Sequence, residues 1–123
     1  MKLVYICSRF KPDEIHSIEF HRAVALTACR TVINANASCI PVAPHLYLPQ
    51  FMNDDNPVER KVALSYGKHI LEQCHAMKVI VVDNIISEGM KAEIEQAEGR
   101  IPIEYFYATK EEMEELIEKI IGN

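Results

Sequence analysis

The stretch that decides the fold is Lys78-Val79-Ile80-Val81-Val82, followed by Asp83-Asn84-Ile85-Ile86-Ser87-Glu88-Gly89-Met90-Lys91-Ala92-Glu93. The apolar run is typical of a buried strand, and the residues after it predict a turn and the start of a helix. Backbone N–H groups at a helix start are free to bind phosphate or sugar oxygens. The sequence therefore predicts a ligand-binding turn at Asp83–Gly89, with Glu93 near the bound ligand.

Strands and helices alternate on both sides of this stretch. Further strands are predicted at Leu3–Cys7, Ser38–Ala43 and Ile101–Tyr107. Helices are predicted from Pro12-Asp13 to Asn36, after the Asn53–Pro57 cap, from the turn to about Glu98, and after Thr109, which forms a capping-box pair with Glu112. The order β-α-β-α-β-α-β-α predicts one α/β domain over residues 1–123, with a parallel sheet and helices on both faces.

Apolar residues at helical spacing predict the buried helix faces. They are Ile18, Leu26, Cys29, Val32 and Ile33 in the first helix, Val58, Val62, Tyr66, Ile70 and Cys74 in the second, and Met113, Leu116, Ile117, Ile120 and Ile121 in the last. Pro41 cannot donate a ladder hydrogen bond, so the second strand is expected at an edge. The segment Pro44–Met52 is irregular yet rich in large apolar side chains, so we expect it to cover something or to pack against a partner.

Size and charge restrict the classes of function. A chain of 123 residues fits one domain, and its formal net charge of −5 argues against nucleic-acid or anionic-membrane binding, which needs a basic surface. No apolar run reaches membrane-spanning length and no signal-peptide pattern is visible, so a cytoplasmic location is expected. The four scattered cysteines are expected to be buried thiols. The five histidines lack ligand spacing, so neither a metal nor a cofactor is predicted.

Ligands of an open parallel sheet bind at the carboxyl ends of its strands. The three strand exits concerned are Ser8-Arg9-Phe10, Pro44-His45-Leu46-Tyr47 and Asp83–Gly89. Aromatic rings there can stack on a base, and an arginine can pair with a phosphate. The predicted ligand-binding residues are Ser8, Arg9, Phe10, His45, Tyr47, Ser87, Glu88, Gly89, Met90 and Arg100.

Several of these residues also have a purely structural interpretation. Phe10 can belong to the core, Arg9 can be a solvated surface charge, and Ser87 can serve only as a helix cap. Glu93 shares a helix face with apolar residues, so it is expected to lean toward the sheet, as a ligand contact or as a structural salt bridge. On the first helix, His16, His21 and Arg22 form either a second anion site at a subunit interface or a solvated helix face, and the solvated face is favoured.

Four segments carry a resemblance to a known family. They are Val4-Tyr5-Ile6-Cys7-Ser8, Ile40-Pro41-Val42-Ala43-Pro44-His45-Leu46-Tyr47, Pro49-Gln50-Phe51 and Ile86-Ser87-Glu88-Gly89-Met90. Together they resemble the nucleoside 2-deoxyribosyltransferase-like proteins, above all their small bacterial and phage branch. The resemblance spans nearly the whole chain. It implies a flavodoxin-like three-layer α/β/α fold with a parallel sheet of four or five strands, and a homo-oligomer whose subunits complete each other's sites.

The resemblance also implies roles for two carboxylates. In the transferases, a helix glutamate that follows a small-residue turn attacks the anomeric carbon of a nucleoside, and Glu93 matches that position. An aspartate near the exit of the third strand handles the base, and Asp83 is the nearest candidate. Such chemistry needs a nucleophile and a second acid that protonates the departing base.

Two departures separate the chain from the transferases. Ser8-Arg9-Phe10 stands where many relatives carry a proline and a tyrosine, which removes an expected polar contact to the catalytic carboxylate. The transferases also place site residues in a longer C-terminal region, for which the sequence leaves little room after its fourth strand. Both departures lower the expectation of catalysis.

Three functions therefore remain open, and the sequence slightly favours the first. One is a protein that binds a nucleotide-type ligand without turnover. Phage Thoeris anti-defence sponges, which sequester cyclic ADP-ribose isomers in the host cytoplasm, are similar to it in size and overall pattern. The second is a deoxyribosyltransferase or N-glycosidase that uses Glu93 as its nucleophile. The third is a structural or regulatory domain with a vestigial pocket.

Overall fold

A computed structural model describes residues 1–122 of the chain. Within this range the strands are β1 (Lys2–Cys7), β2 (Cys39–Val42), β3 (Ala76–Val82) and β4 (Ile103–Ala108). The α-helices are α1 (Ile18–Ala35), α2 (Pro57–Glu72), α3 (Glu88–Ala97) and α4 (Lys110–Ile120). Two short 3₁₀ turns, Pro44–Leu46 and Leu48–Gln50, lie between β2 and α2. None of the helices in this range is both long and apolar enough to span a membrane.

The strands form a parallel sheet in the order β2-β1-β3-β4. This order confirms the predicted α/β architecture, and it is the order of flavodoxin-like folds up to their fourth strand. The direction of strand addition reverses between β1 and β3. The chain adds β2 on one side of β1 and then crosses to add β3 on the other side. A crevice for ligands is expected at that point. Strand β2 lies at an edge, as Pro41 predicted.

The sheet separates two apolar cores, because successive side chains of a strand point to opposite faces. One face presents Tyr5, Cys7, Val79 and Val81 to helices α2 and α3. The other face presents Ile6, Ile80 and Val82 to helices α1 and α4. All strands that supply these residues have near-continuous apolar runs, as expected of a parallel sheet covered on both sides. The result is a three-layer α/β/α arrangement.

The first helix starts later than predicted. Pro12-Asp13 does not open it, because the Asp13 carboxylate accepts the N–H groups of Ile15 and His16 and so closes a local turn. Ser17 is the N-cap, with its hydroxyl accepting from the N–H of Phe20. The predicted buried face is also partly wrong. Leu26 and Ile33 are exposed, while the smaller residues Val24, Ala25, Ala28 and Val32 fill the space against the sheet.

The predicted apolar face of α2 is buried only toward its C-terminal end. Of the predicted residues, Cys74 is buried in the core between the sheet and α3, whereas Val58 and Tyr66 are 71% and 48% exposed. Leu71, which was not predicted, is also fully buried there. Ala63, Leu64 and Gly67 of this helix line a cavity instead. In contrast, α4 begins with the predicted Thr109–Glu112 capping box.

Candidate functional site

A cavity of about 660 Å³ opens at the carboxyl ends of β1, β2 and β3. Its walls include the segments 8–11 and 86–90, parts of the segment 44–54, and one side each of α2 and α3. Its position is the crevice that the reversal of strand order predicts. The volume falls within the range of small-molecule sites, about 300–1,000 Å³.

The Tyr5–Glu93 pair lies in this cavity. The Tyr5 hydroxyl, on the buried strand β1, donates a hydrogen bond to Glu93 Oε2 on α3. Burial raises the pKa of Glu93, and the hydrogen bond from Tyr5 opposes part of that rise. Burial and the nearby Glu93 charge raise the pKa of Tyr5, so its hydroxyl remains a neutral donor. The carboxylate is therefore fixed in place and faces a ligand-sized space, leaning toward the sheet as predicted.

The turn before α3 brings the predicted small-residue motif to the cavity. Asp83 and Asn84 have φ angles of 53° and 58°, and the N–H of Ile85 donates to the carbonyl of Val82. Two successive left-handed residues are typical of a type I′ turn. Ser87 then caps α3, because its hydroxyl accepts the N–H of Met90. The predicted residues Ser87, Glu88, Gly89 and Met90 all line the cavity.

The exits of β1 and β2 meet on the opposite wall. Ser8 Oγ lies 3.0 Å from His45 Nε2, and the ring of Phe10 packs edge-on against His45, with 6.1 Å between centroids. Burial, together with the charge of His21, lowers the pKa of His45 to about 4, so this ring is neutral at pH 7. The predicted residues Ser8, Phe10 and His45 thus form an aromatic wall with a polar edge.

Four basic side chains line the cavity. Arg9 Nε donates to the carbonyl of Lys11 at 2.9 Å. Lys11 and Arg60 both pair with Asp54, at 3.4 Å and 3.0 Å. Lys68 completes the group. The lining therefore holds four cations together with the carboxylates of Asp54, Glu59, Glu88 and Glu93.

Tyr5, Lys11, Arg60 and Lys68 were not predicted as site residues. Tyr5 had a usable signal, since a tyrosine in an otherwise aliphatic strand needs a partner for its hydroxyl when it is buried. It supplies the polar contact to Glu93 that was not expected from the Ser8-Arg9-Phe10 exit. Nothing in the sequence marked the three basic residues, because their approach to the cavity depends on how the segment after β1 and helix α2 pack.

Three predicted site residues, Tyr47, Arg100 and Asp83, lie outside the cavity lining. Tyr47 is half-exposed beside Phe51, with 6.0 Å between ring centroids. Arg100 donates to the carbonyls of Leu71 and Glu72 at the C-terminal end of α2. Its guanidinium therefore stabilises the end of α2. It does not line the cavity, where it was predicted to bind a phosphate.

Asp83 also faces away from the cavity. Its Oδ2 lies 2.8 Å from His16 Nε2, and its Oδ1 accepts the N–H of Lys110 at the start of α4. The hydrogen bond from His16, followed by the one from Lys110, lowers the pKa of Asp83. An ionised carboxylate engaged at both oxygens is poorly placed to protonate a departing base in the cavity.

The favoured interpretation of His16, His21 and Arg22, a solvated helix face, is wrong for both histidines. His16 lies in the loop before α1 and is 3% exposed, and His21 on α1 is 4% exposed. His16 Nδ1 lies 2.9 Å from both oxygens of Asp13. His21 Nε2 lies 3.9 Å from Asp13 Oδ2. Arg22 is exposed and does not join this group.

Comparisons with known proteins place the chain in a family. A search of curated proteins found no significant match. Residues 2–106, which include the exits of β1, β2 and β3 and all of α3, match the family model described as "Domain of unknown function (DUF7768)". Since this match covers most of the sequence, the chain belongs to the DUF7768 family.

Proposed function

We propose that the cavity binds a nucleoside or nucleotide and holds it without cleaving its N-glycosidic bond. The observation that carries this proposal is the Tyr5–Glu93 pair inside a cavity of about 660 Å³. A fixed carboxylate accepts hydrogen bonds from two neighbouring sugar hydroxyls, and a tyrosine hydroxyl keeps it oriented. The resemblance to nucleoside 2-deoxyribosyltransferase-like proteins supports the same ligand class.

The rest of the cavity suits the other parts of a nucleotide. The first turn of α3 offers backbone N–H groups at Glu88 and Gly89, where phosphate oxygens are favoured. Arg9 and Lys68 add positive charge, and Phe10 offers a ring face or edge to a base. A cyclic ADP-ribose isomer contains a sugar, phosphates and a base. The suggested likeness to phage sponges makes it the first candidate ligand.

The lack of a positioned second acid supports binding over turnover. Among the described residues, Asp83 is engaged by His16 and Lys110. Of the carboxylates that line the cavity besides Glu93, Asp54 pairs with two cations, Glu59 Oε1 accepts the N–H of Asn53, and Glu88 Oε1 lies 3.3 Å from Lys91 Nζ. A leaving base needs a proton donor in reach, and these carboxylates are committed to other contacts.

Turnover is the second candidate function, and one observation favours it specifically. The Tyr5 hydrogen bond holds Glu93 in one orientation, as a nucleophilic carboxylate requires. In that case Glu93 forms a bond to the anomeric carbon as the N-glycosidic bond breaks. The base leaves with the electron pair of that bond and takes a proton from water. A second nucleoside base or water then releases the sugar.

We further propose that the chain forms a homo-oligomer through the surface beside the cavity. Phe51 and Val58 are 65% and 71% exposed, and Tyr47 and Tyr66 are half-exposed. These side chains belong to the segment between β2 and α2 and to α2 itself, which also wall the cavity. Exposed apolar residues concentrated in this way are typical of an interaction surface.

Ligand release analysis separates binding from turnover. The protein is incubated with deoxynucleosides, nucleotides and cyclic ADP-ribose isomers, separated from free ligand, denatured, and the released compounds are identified by chromatography. We expect unaltered ligand at near one equivalent per chain. Free base in amounts above one equivalent would instead establish the enzyme, and the absence of any retained or altered compound would favour a structural role.

Glu93→Gln sharpens this experiment, because it removes the negative charge and leaves the shape nearly unchanged. We expect it to weaken ligand binding by roughly tenfold or more, since a hydrogen bond to a charged group contributes about 1.5–3 kcal/mol. Glu95→Gln, at an exposed position of the same helix, is the matched control and should leave binding unchanged. Retained binding in Glu93→Gln with loss of base release would identify Glu93 as a nucleophile.

A further inference from the structure

Three potential metal ligands come together outside the ligand cavity. Asp13, His16 and His21 each place one donor atom within 4.8 Å of the others. The Asp13 Oδ2–His16 Nδ1 distance is 2.9 Å and the Asp13 Oδ2–His21 Nε2 distance is 3.9 Å. Ligands of a tetrahedral zinc ion, at about 2.0–2.1 Å from the metal, lie about 3.4 Å from one another. The observed distances lie on either side of that value.

The buried ring of His21 supplies independent evidence. Its Nε2 has no hydrogen-bond partner among the described residues, although the side chain is 4% exposed. A buried polar atom without a partner is costly, and native structures rarely leave one. His21 lines a small cavity of about 10 Å³ together with Asp13 and His16. That volume is near the minimum that holds a water molecule.

The second ring nitrogen of His16 is held as in known metal sites. His16 Nε2 lies 2.8 Å from Asp83 Oδ2, and Asp83 Oδ1 accepts the N–H of Lys110. Histidines that bind a metal usually donate their other ring N–H to a carboxylate, which fixes the ring and raises its basicity. The chain Lys110–Asp83–His16 therefore orients Nδ1 toward Asp13 and the small cavity.

We propose that Asp13, His16 and His21 bind one divalent transition-metal ion, and that Zn²⁺ suits the two imidazoles and one carboxylate best. The ion replaces the proton that His16 Nδ1 shares with Asp13, so one proton is released for each ion bound. Arg9 Nε, which lies 3.5 Å from Asp13 Oδ2, donates its hydrogen bond to the Lys11 carbonyl, so this contact does not occupy the carboxylate. With three protein ligands, the fourth position remains open to water.

The proposed ion has a consequence for the neighbouring ligand cavity. Asp13 and His16 belong to the loop between β1 and α1, whose first residues Ser8, Arg9 and Phe10 wall that cavity. Tying this loop to α1 through His21 holds those residues in place. The metal proposal nevertheless stands without the proposed nucleotide function, because its evidence lies in a separate group of residues.

Metal titration of the intact chain tests this inference. After treatment with a chelator, the protein is titrated with Zn²⁺ by calorimetry and with Co²⁺ by visible absorption. We expect one equivalent of each ion and the intense Co²⁺ absorption typical of four-coordinate geometry. Failure of both ions to bind at one equivalent would overturn the proposal. The cluster would then be a hydrogen-bonded structural contact that holds at most a water molecule.

Variants assign the ligands. Asp13→Asn and His21→Gln should weaken Zn²⁺ binding at least 100-fold, and Asp83→Asn should weaken it 10–100-fold through loss of its support of His16. His69→Gln, at an exposed histidine of α2, is the control and should leave the affinity unchanged. Circular dichroism checks that each variant is folded. If the buried His21→Gln variant does not fold, Asp13→Asn decides, and unchanged affinity in it would overturn the assignment.

Discussion

At the scale of single residues, the most informative group is the Glu93 carboxylate. Burial raises its pKa above the ordinary value, so the folded protein binds the proton more tightly than the unfolded chain does. Stability from this group is present at low pH and is lost as the pH rises through the interval between the two pKa values. Near pH 7 the ionised carboxylate therefore costs stability, as is typical of residues kept for function.

Glu93→Gln is accordingly expected to raise the free energy of unfolding at pH 7, by roughly 0.5–2 kcal/mol, the usual range of stabilising substitutions. The gain should vanish near pH 4, where the wild-type side chain is largely protonated and neutral. Urea denaturation at both pH values measures it. A variant less stable than wild type at pH 7 would show that the Tyr5 hydrogen bond outweighs the cost of burial.

His45 gives the opposite pH dependence to that of Glu93. Burial lowers its pKa to about 4, so between pH 4 and 6.5 the unfolded chain binds more protons than the folded one. The free energy of unfolding should therefore fall as the pH is lowered through this window, by on the order of 3 kcal/mol for this residue. Urea denaturation at several pH values measures this dependence. His45→Gln should lose this part of the change in unfolding free energy with pH, whereas His69→Gln should retain it.

At the scale of elements, the sequence predicted strands and helices well where local chemistry decides. The apolar run before Asp83 became β3, and Thr109 with Glu112 capped α4 as predicted. Predictions failed where distant residues decide. The Asp13 carboxylate binds His16 in a local turn, so α1 begins only at Ile18, and the exposure of Val58 depends on how α2 packs in the fold. Neither effect can be read from helical spacing.

The same distinction applies to the candidate site. Nine of the predicted residues, Ser8, Arg9, Phe10, His45, Ser87, Glu88, Gly89, Met90 and Glu93, line one cavity. They could be predicted because carboxyl ends of parallel strands share one edge of the sheet. Asp83 follows the same strand, yet its left-handed backbone turns its carboxylate toward His16 on the other side.

The turn at Asp83 and Asn84 provides a prediction for this element. Asn84 is exposed and has φ 58°, a conformation that asparagine tolerates and that costs an alanine roughly 1 kcal/mol. Asn84→Ala should therefore lower the free energy of unfolding by about 1 kcal/mol, measured in urea. Asn84→Gly should be nearly neutral, because glycine adopts this conformation without steric cost. Equal losses in both variants would contradict a backbone origin.

At the scale of the whole molecule, the two helical layers differ in the surface they leave exposed. The layer of α1 and α4 exposes single apolar residues such as Leu26. The layer of α2 and α3 leaves Phe51 and Val58 exposed beside the cavity. A closed dimer would use this surface twice, since a twofold axis applies the same patch to both subunits.

Val58→Lys tests the oligomer through this symmetry. Burial of a valine side chain contributes about 1.5 kcal/mol or more, and a twofold interface buries two copies, so the dimer dissociation constant should rise roughly 100-fold. Sedimentation velocity over a range of protein concentrations measures the shift from dimer to monomer. Leu26→Lys places the same charge on the opposite layer and should leave the wild-type equilibrium unchanged. If only Leu26→Lys dissociates the oligomer, the interface lies on α1. A wild-type protein that is monomeric at all concentrations would rule out the oligomer.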